Sequence, residues 1–234
     1  VAQTIVIPRE FNGPLDSGNG GYCSGVVASF VEGPAVVSLR SPVPLERPME
    51  VLREQDGSVR VVDGERLIAE GRSSDPVDIE VPAPVSVDEA RAAMEKYRGL
   101  DTGPFRHCFV CGRAREDSYG VFAGKVDGRD VVASTWTPPA SAAGNGGEVR
   151  HELVWSVLDC PTYFASYIDE DLVLSFLARF SVRIDVPVVA GEEHVVVAWP
   201  IERDGRKLRA GAAVLTSEGT TLAVADALLV EPRT

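Results

Sequence analysis

At 234 residues, with 44% hydrophobic and 25% charged side chains, the chain can bury a substantial core, as one large domain or as two. A formal charge of −12 excludes a surface built to neutralise nucleic-acid phosphates, and no apolar run is long enough to span a bilayer. The opening Val1-Ala2-Gln3-Thr4-Ile5-Val6-Ile7-Pro8 lacks the basic and apolar regions of a signal peptide, and four cysteines in this length read as reduced thiols, so a cytoplasmic location is expected.

A loop rich in turn formers, 11–18, follows the apolar start. Tyr22 to Val31 then reads as a short apolar helix stopped by Gly33-Pro34, its Ala, Ser and Gly content outweighing its valines. Strands are predicted over Val36–Val43, Met49–Glu54, Ser58–Val62 and Arg66–Arg72, with hairpins at Asp56-Gly57 and Asp63-Gly64. Residues 74–86, with Pro76, Pro82 and Pro84, make a semi-extended linker. Ser86-Val87-Asp88-Glu89 is a capping box that starts a helix running through Tyr97 and ending near Gly99. These features set an N-terminal unit over 1–85, a linker helix over 86–104 and a C-terminal unit over 105–234, with the boundary between residues 76 and 104.

The second half repeats the theme. Val131–Trp136 reads as a strand. Glu148–Tyr167 has a helical pattern that Pro161 should kink or break, because proline lacks an amide donor. Leu172–Val186, Val195–Arg203, Leu208–Thr216 and Leu222–Val230 read as strands, with turns at Asp204-Gly205 and 217–220. Gly18-Asn19-Gly20-Gly21 returns as Gly144-Asn145-Gly146-Gly147, an offset of 126 (144 minus 18), each copy ahead of a helical stretch. Ser38-Leu39-Arg40-Ser41-Pro42-Val43-Pro44 lines up with Ser181-Val182-Arg183-Ile184-Asp185-Val186-Pro187 at an offset of 143 (181 minus 38). An internal duplication of a helix wrapped by four or five antiparallel strands follows, an α+β architecture.

This layout resembles the hotdog fold, and two copies in one chain resemble the double-hotdog acyl-CoA thioesterases. Asn19-Gly20-Gly21-Tyr22 is similar to the opening of the N-terminal hotdog in thioesterase-II-like proteins, and residues 37–44 to the strand after it. Gly147 followed twelve residues on by Asp159 (159 minus 147) resembles the central helix of phenylacetyl-CoA-type hotdog thioesterases. His107-Cys108-Phe109-Val110-Cys111-Gly112 resembles a segment common ahead of the second hotdog in actinobacterial-type proteins. The resemblance covers nearly the whole chain. It implies a tandem hotdog with one antiparallel sheet around two central helices, a homodimer, and an acyl thioester substrate. Coenzyme A would be part of that substrate, with no separate cofactor or metal. The chain departs from the single-domain pattern where Arg150-His151-Glu152 replaces His-Gly-Gly, whose glycine amides serve the thioester carbonyl.

Asp159, a carboxylate in an otherwise apolar helix, is the candidate base or nucleophile. A bland reading remains, in which it pairs with an arginine or caps a segment. Asn19 offers a side-chain donor to a carbonyl, and Gly20, Gly21, Gly146 and Gly147 allow close approach to backbone N–H groups at a helix start. Tyr22, Asn145 and Trp155 complete the expected substrate-binding set with His151 and Glu152. Glu152 falls in line with Asp159, seven residues on, whereas His151 is about 80° away around the helix. Both also suit an exposed first turn. Cys108-Phe109-Val110-Cys111 is half a zinc site, needing His107 and a distant partner; two thiols in a turn is the simpler reading. No P-loop, serine nucleophile elbow or HExxH motif is present. Thioester hydrolysis is therefore expected, against non-hydrolytic acyl-ligand binding or a hydratase or dehydratase using His151 with Asp159.

Overall fold

A computed structural model describes residues 3–99 and 105–233. In chain order the elements are β1 (Gln3–Ile5), α1 (Gly20–Ala28), β2 (Ala35–Leu39), β3 (Met49–Arg53), β4 (Val59–Asp63), β5 (Arg66–Ser73), α2 (Val87–Met94), β6 (Gly124–Lys125), β7 (Val132–Trp136), α3 (His151–Ser166), β8 (Phe176–Ile184), β9 (His194–Asp204), β10 (Lys207–Thr216) and β11 (Thr221–Val230). All the strands join one antiparallel sheet, ordered β1-β3-β4-β5-β2-β8-β11-β10-β9-β7-β6.

The halves share one topology. In each, the strand after the helix sits at the centre of the sheet and pairs with the last strand of its half. The strand before the helix pairs with the second strand after it. The halves join where β2 pairs β8, and that short ladder is centred on Val37↔Phe180, a separation of 143 (180 minus 37). The strand alignment read from the sequence thus coincides with the centre of the sheet.

The period-2 alternation of β9, β10 and β11 buries both faces. Val196, Ala198, Ala212, Val214, Ala223 and Ala225 point inward to the helices, whereas Val195, Val197, Trp199, Ala213, Leu215 and Val224 point outward. The linker residues Val77 and Val85, with Ala90 and Ala93 of α2, cover that outer face. The capping box at the start of α2 is formed: Glu89 N–H donates to Ser86 Oγ (3.3 Å) and Ser86 N–H to Glu89 Oε2 (2.9 Å). The helix ends at Met94, short of the expected Tyr97.

Two helical expectations need correction. α1 begins at Gly20, not Tyr22, because Asn19 caps it by accepting the Tyr22 N–H (2.9 Å), which draws Gly20 and Gly21 into the first turn. α3 begins only at His151 and then runs unbroken through Pro161. Burial of Leu153, Val157, Leu158, Phe164 and Ala165 between the sheet and α1 outweighs the lost hydrogen bond. Thr162 and Ser166 hydroxyls donate back to the carbonyls of Asp159 (2.6 Å) and Thr162 (2.8 Å).

α1 and α3 cross in close contact on the inner face, at glycines. A Cβ at Gly21 would lie 2.9 Å from Ser156 Cα, and one at Gly25 would lie 2.6 Å from Glu152 Cα. These two contacts exchange under an offset of 131 (152 minus 21, and 156 minus 25). The entry loops obey the same offset. Gly13 N–H donates to Ser17 O as Gly144 N–H does to Glu148 O, and Asn19 N–H donates to Phe11 O as Arg150 N–H does to Ala142 O. The repeated Gly-Asn-Gly-Gly, at offset 126, is therefore five residues out of register with the structural repeat. Its second copy occupies the place of residues 13–16, in an exposed turn ahead of α3, and the structural counterpart of Asn19-Gly20-Gly21 is Arg150-His151-Glu152.

Candidate functional site

The two-fold relation between the halves would create two equivalent sites, one at each end of the α1–α3 crossing. The two ends differ in the groups they carry. At one end Gly21 N–H donates to Asp159 Oδ2 at 2.7 Å. At the other end the same offset puts Ala28 in place of Asp159 (159 minus 131) and Glu152 in place of Gly21.

Asp159 lies in a cavity of about 740 Å³ lined by both halves. The first half lines it with Gly13, Pro14, 16–20 and 39–43, and the second half with Asp159, Cys160, Tyr163 and Phe164 of α3, 174–178 and 229–232. This size suits a small-molecule site. The walls are mainly apolar, with Leu39, Val43, Phe164 and Leu177 among them, and Phe105 packs near Tyr163 (6.2 Å between ring centres) and Phe176 (6.3 Å). Arg40 and Arg206 also line it.

Asp159 is 9% exposed and, among the described residues, forms no ion pair. Burial raises its carboxyl from 3.8 to about 7; the Gly21 N–H opposes this and the neighbouring Cys108 adds to it. The carboxylate is held by Oδ2 at the positive end of α1, and Oδ1 accepts no hydrogen bond from the described residues. Around the first turn of α1, Asn19 N–H donates to Phe11 O, Tyr22 N–H to Asn19 Oδ1 and Cys23 N–H to Asn19 O. Among the described residues the Gly20 amide alone of this group has no acceptor. Glycine is required at 21, where a Cβ would lie 2.6 Å from Asp159 Cβ and from Trp155 O; at Gly20 a Cβ would sit tightly against Leu177 (3.1 Å) and Asp159 Oδ2 (3.2 Å).

Asn19, Gly20 and Asp159 thus meet in the cavity, with Gly21 directly behind. The other residues singled out from sequence lie elsewhere. Tyr22 stacks on Phe11 in the core (4.1 Å), and Trp155 meets Phe180 edge to face (5.6 Å). His151 Nε2 contacts Gly25 O at 2.9 Å, and Glu152 lies between His151 (3.4 Å) and Arg150 (3.3 Å). Asn145, Gly146 and Gly147 are exposed in the turn displaced by the register difference.

Sequence reasoning left Cys160 isolated. The fold brings it beside the Cys108–Cys111 pair: the three sulfurs lie within 4.8 Å of one another, with Cys108 Sγ to Cys160 Sγ at 3.7 Å. No local spacing in the sequence signals this, because Cys160 lies 52 residues from Cys108 in the chain. The Cys108 thiol is drawn well below its usual range by the thiols of Cys111 and Cys160 and by the N–H groups of Cys111 and Val110.

No protein-family model matches the sequence, and no curated protein matches it. Solved structures do. A candidate thioesterase from Novosphingobium aromaticivorans aligns over 98% of this chain and 95% of its own at 11% identity, with a TM-score of 0.63. A candidate thioesterase II from Thermobifida fusca aligns over 98% and 92% at 11% identity (TM-score 0.59). The tesB protein of Mycobacterium avium subsp. paratuberculosis aligns over 92% and 88% at 13% identity (TM-score 0.58). The chain has the double-hotdog fold of thioesterase-superfamily structures. No helix among the described residues is long and apolar enough to cross a membrane.

Proposed function

We propose that this double-hotdog protein hydrolyses an acyl thioester, with coenzyme A or an acyl carrier as the thiol and Asp159 as the proton acceptor that activates water. The observation that carries the reading is the Gly21 N–H to Asp159 bond inside an apolar cavity lined by both halves. The Oδ1 atom, free of protein donors among the described residues, takes a proton from water. The Gly20 amide at the α1 N-terminus polarises the thioester carbonyl and stabilises the negative charge that develops on its oxygen. The apolar walls take the acyl chain, and Arg206 supplies positive charge for a phosphorylated thiol carrier, while Arg40 is paired with Glu70 (2.6 Å).

This reading is favoured over hydration or dehydration because no histidine lines the cavity among the described residues, and His151 is engaged with the Gly25 carbonyl. The catalytic asymmetry fits an internal duplication in which one half kept the amides and the other kept the acid. Two units, 1–85 and 105–234, joined by the helix after Ser86, form one functional body, and two such chains form a homodimer in the cytoplasm. The test is thiol release from a panel of acyl-CoAs: purified protein should release free CoA catalytically from at least one. Binding without turnover would favour a non-hydrolytic role.

A further inference from the structure

We propose that Cys108, Cys111 and Cys160 form a zinc site at the floor of the cavity, binding one Zn²⁺ through three thiolates with the fourth position open to the cavity. Zinc binding here is independent of which reaction the cavity carries out. Three separate observations support it.

The first is spacing. In a tetrahedral zinc site with Zn–S bonds of about 2.3 Å, ligand sulfurs sit about 3.8 Å apart. Cys108 Sγ and Cys160 Sγ are 3.7 Å apart, too far for a disulfide, and all four cysteines of the chain are free. The Cys111 sulfur lies within 4.8 Å of both, so a sub-ångström adjustment closes the triangle.

The second is the backbone around the pair. Cys108-Phe109-Val110-Cys111-Gly112 is a tight turn closed by Gly112 N–H donating to Cys108 O (2.8 Å). Glycine is needed at 112, where a Cβ would lie 2.6 Å from Arg106 O, Cys108 N and Cys108 O. The turn therefore fixes Cys108 and Cys111 together beside Cys160 at the cavity floor.

The third is Asn19. Its Oδ1 accepts the Tyr22 N–H, which fixes the orientation of the amide and turns Nδ2 toward the sulfurs. Nδ2 is 3.7 Å from Cys108 Sγ and 3.7 Å from Cys160 Sγ. A buried amide donor shared between two sulfurs suits thiolates better than thiols, which need acceptors for their own S–H groups.

Three thiolates demand a compensating cation, and a thiophilic divalent ion fits them. The three sulfurs, all within 4.8 Å of one another, converge on a single ion rather than spreading around a polynuclear cluster. His107 does not join the cluster, so the fourth position is left to water or a ligand entering from the cavity.

The test uses the intact chain, purified under reducing conditions, reconstituted with zinc and desalted. Metal analysis should show one Zn²⁺ per chain. Cobalt substitution should give the intense visible bands of tetrahedral Co²⁺ with thiolate-to-cobalt charge transfer. Cys160→Ser should lose stoichiometric metal with an unchanged far-UV spectrum, whereas Cys23→Ala, outside the cluster, should retain it. Absence of stoichiometric zinc from the reduced wild-type protein, or equal uptake by Cys160→Ser, overturns the site. The wild-type cobalt spectrum decides the matter even if a cysteine variant fails to fold: octahedral, weak bands contradict it.

Discussion

Replacing Gly21 or Gly25 with alanine adds one methyl group to the same helix crossing, yet only Gly21 bonds Asp159. A Cβ at 21 meets Asp159 Cβ and Trp155 O at 2.6 Å, and a Cβ at 25 meets Glu152 Cα at 2.6 Å. Carbon atoms pack at about 3.5–4.0 Å, so either methyl must push α1 and α3 apart by roughly 1 Å. Backbone atoms of α3 are among the obstacles in both cases, so a side-chain rotation gives no relief. Overpacking of this kind costs about 1–3 kcal/mol, offset by at most ~1 kcal/mol of improved helix propensity. Both variants should therefore lose about 1–2 kcal/mol in urea unfolding, from a mid-range overpacking cost of ~2 kcal/mol less an offset of up to ~1 kcal/mol. Their activities should separate. Gly21→Ala stretches the bond that holds the carboxylate, and thioester turnover, followed by thiol release, should fall by about 10²-fold, the lower range for loss of a general base. Gly25→Ala should stay within about tenfold, about 1.4 kcal/mol of barrier. Equal losses of activity would refute a special role for the Gly21 amide, and unchanged stability in both would refute the close crossing.

Asp159→Asn should raise thermal stability near neutral pH in metal-free protein, because it removes a buried carboxylate held by one N–H donor; the gain is on the order of 1–4 kcal/mol by chemical unfolding, and a loss of stability would contradict it. Ser86→Ala should cost about 1 kcal/mol through the lost α2 cap. Ser86 lowers the Glu89 carboxyl, so this part of the stability is present above the unfolded value of 4.5 and is lost as pH falls through the lower folded value. Urea titrations should therefore show the difference between Ser86→Ala and wild type narrowing in acid; a difference that widens there would be inconsistent.

The architecture was legible because alternation, Asp-Gly turns and the capping box are local signals that tertiary packing reinforced. The strand repeat at offset 143 survived for the same reason: it reflects two strands meeting at the centre of one sheet. The glycine repeat misled in register. Gly144–Gly147 and Gly18–Gly21 match in letters, yet the hydrogen bonds of the entry loops place Arg150, not Asn145, opposite Asn19. Turn composition does not encode how many residues separate a turn from its helix. Asp159 was visible as a charge on an apolar helix, and Asn19 and Gly20 as a helix start, but their meeting required the crossing of α1 and α3. Trp155 and Tyr22 share that neighbourhood in sequence and face the core instead. Cys160 was missed because a single cysteine carries no spacing of its own, and only the fold gives it partners 52 residues away in the chain.

The most direct test of the account is steady-state hydrolysis of an acyl-CoA panel by wild type and Asp159→Asn, measured as free thiol. Wild type should turn over at least one acyl-CoA, and Asp159→Asn should lower kcat by about 10²–10⁴ with its fold intact. Activity of the variant within about threefold of wild type, about 0.7 kcal/mol of barrier, would contradict Asp159 as the base. No thiol release from any acyl-CoA by the wild type would contradict thioester hydrolysis itself.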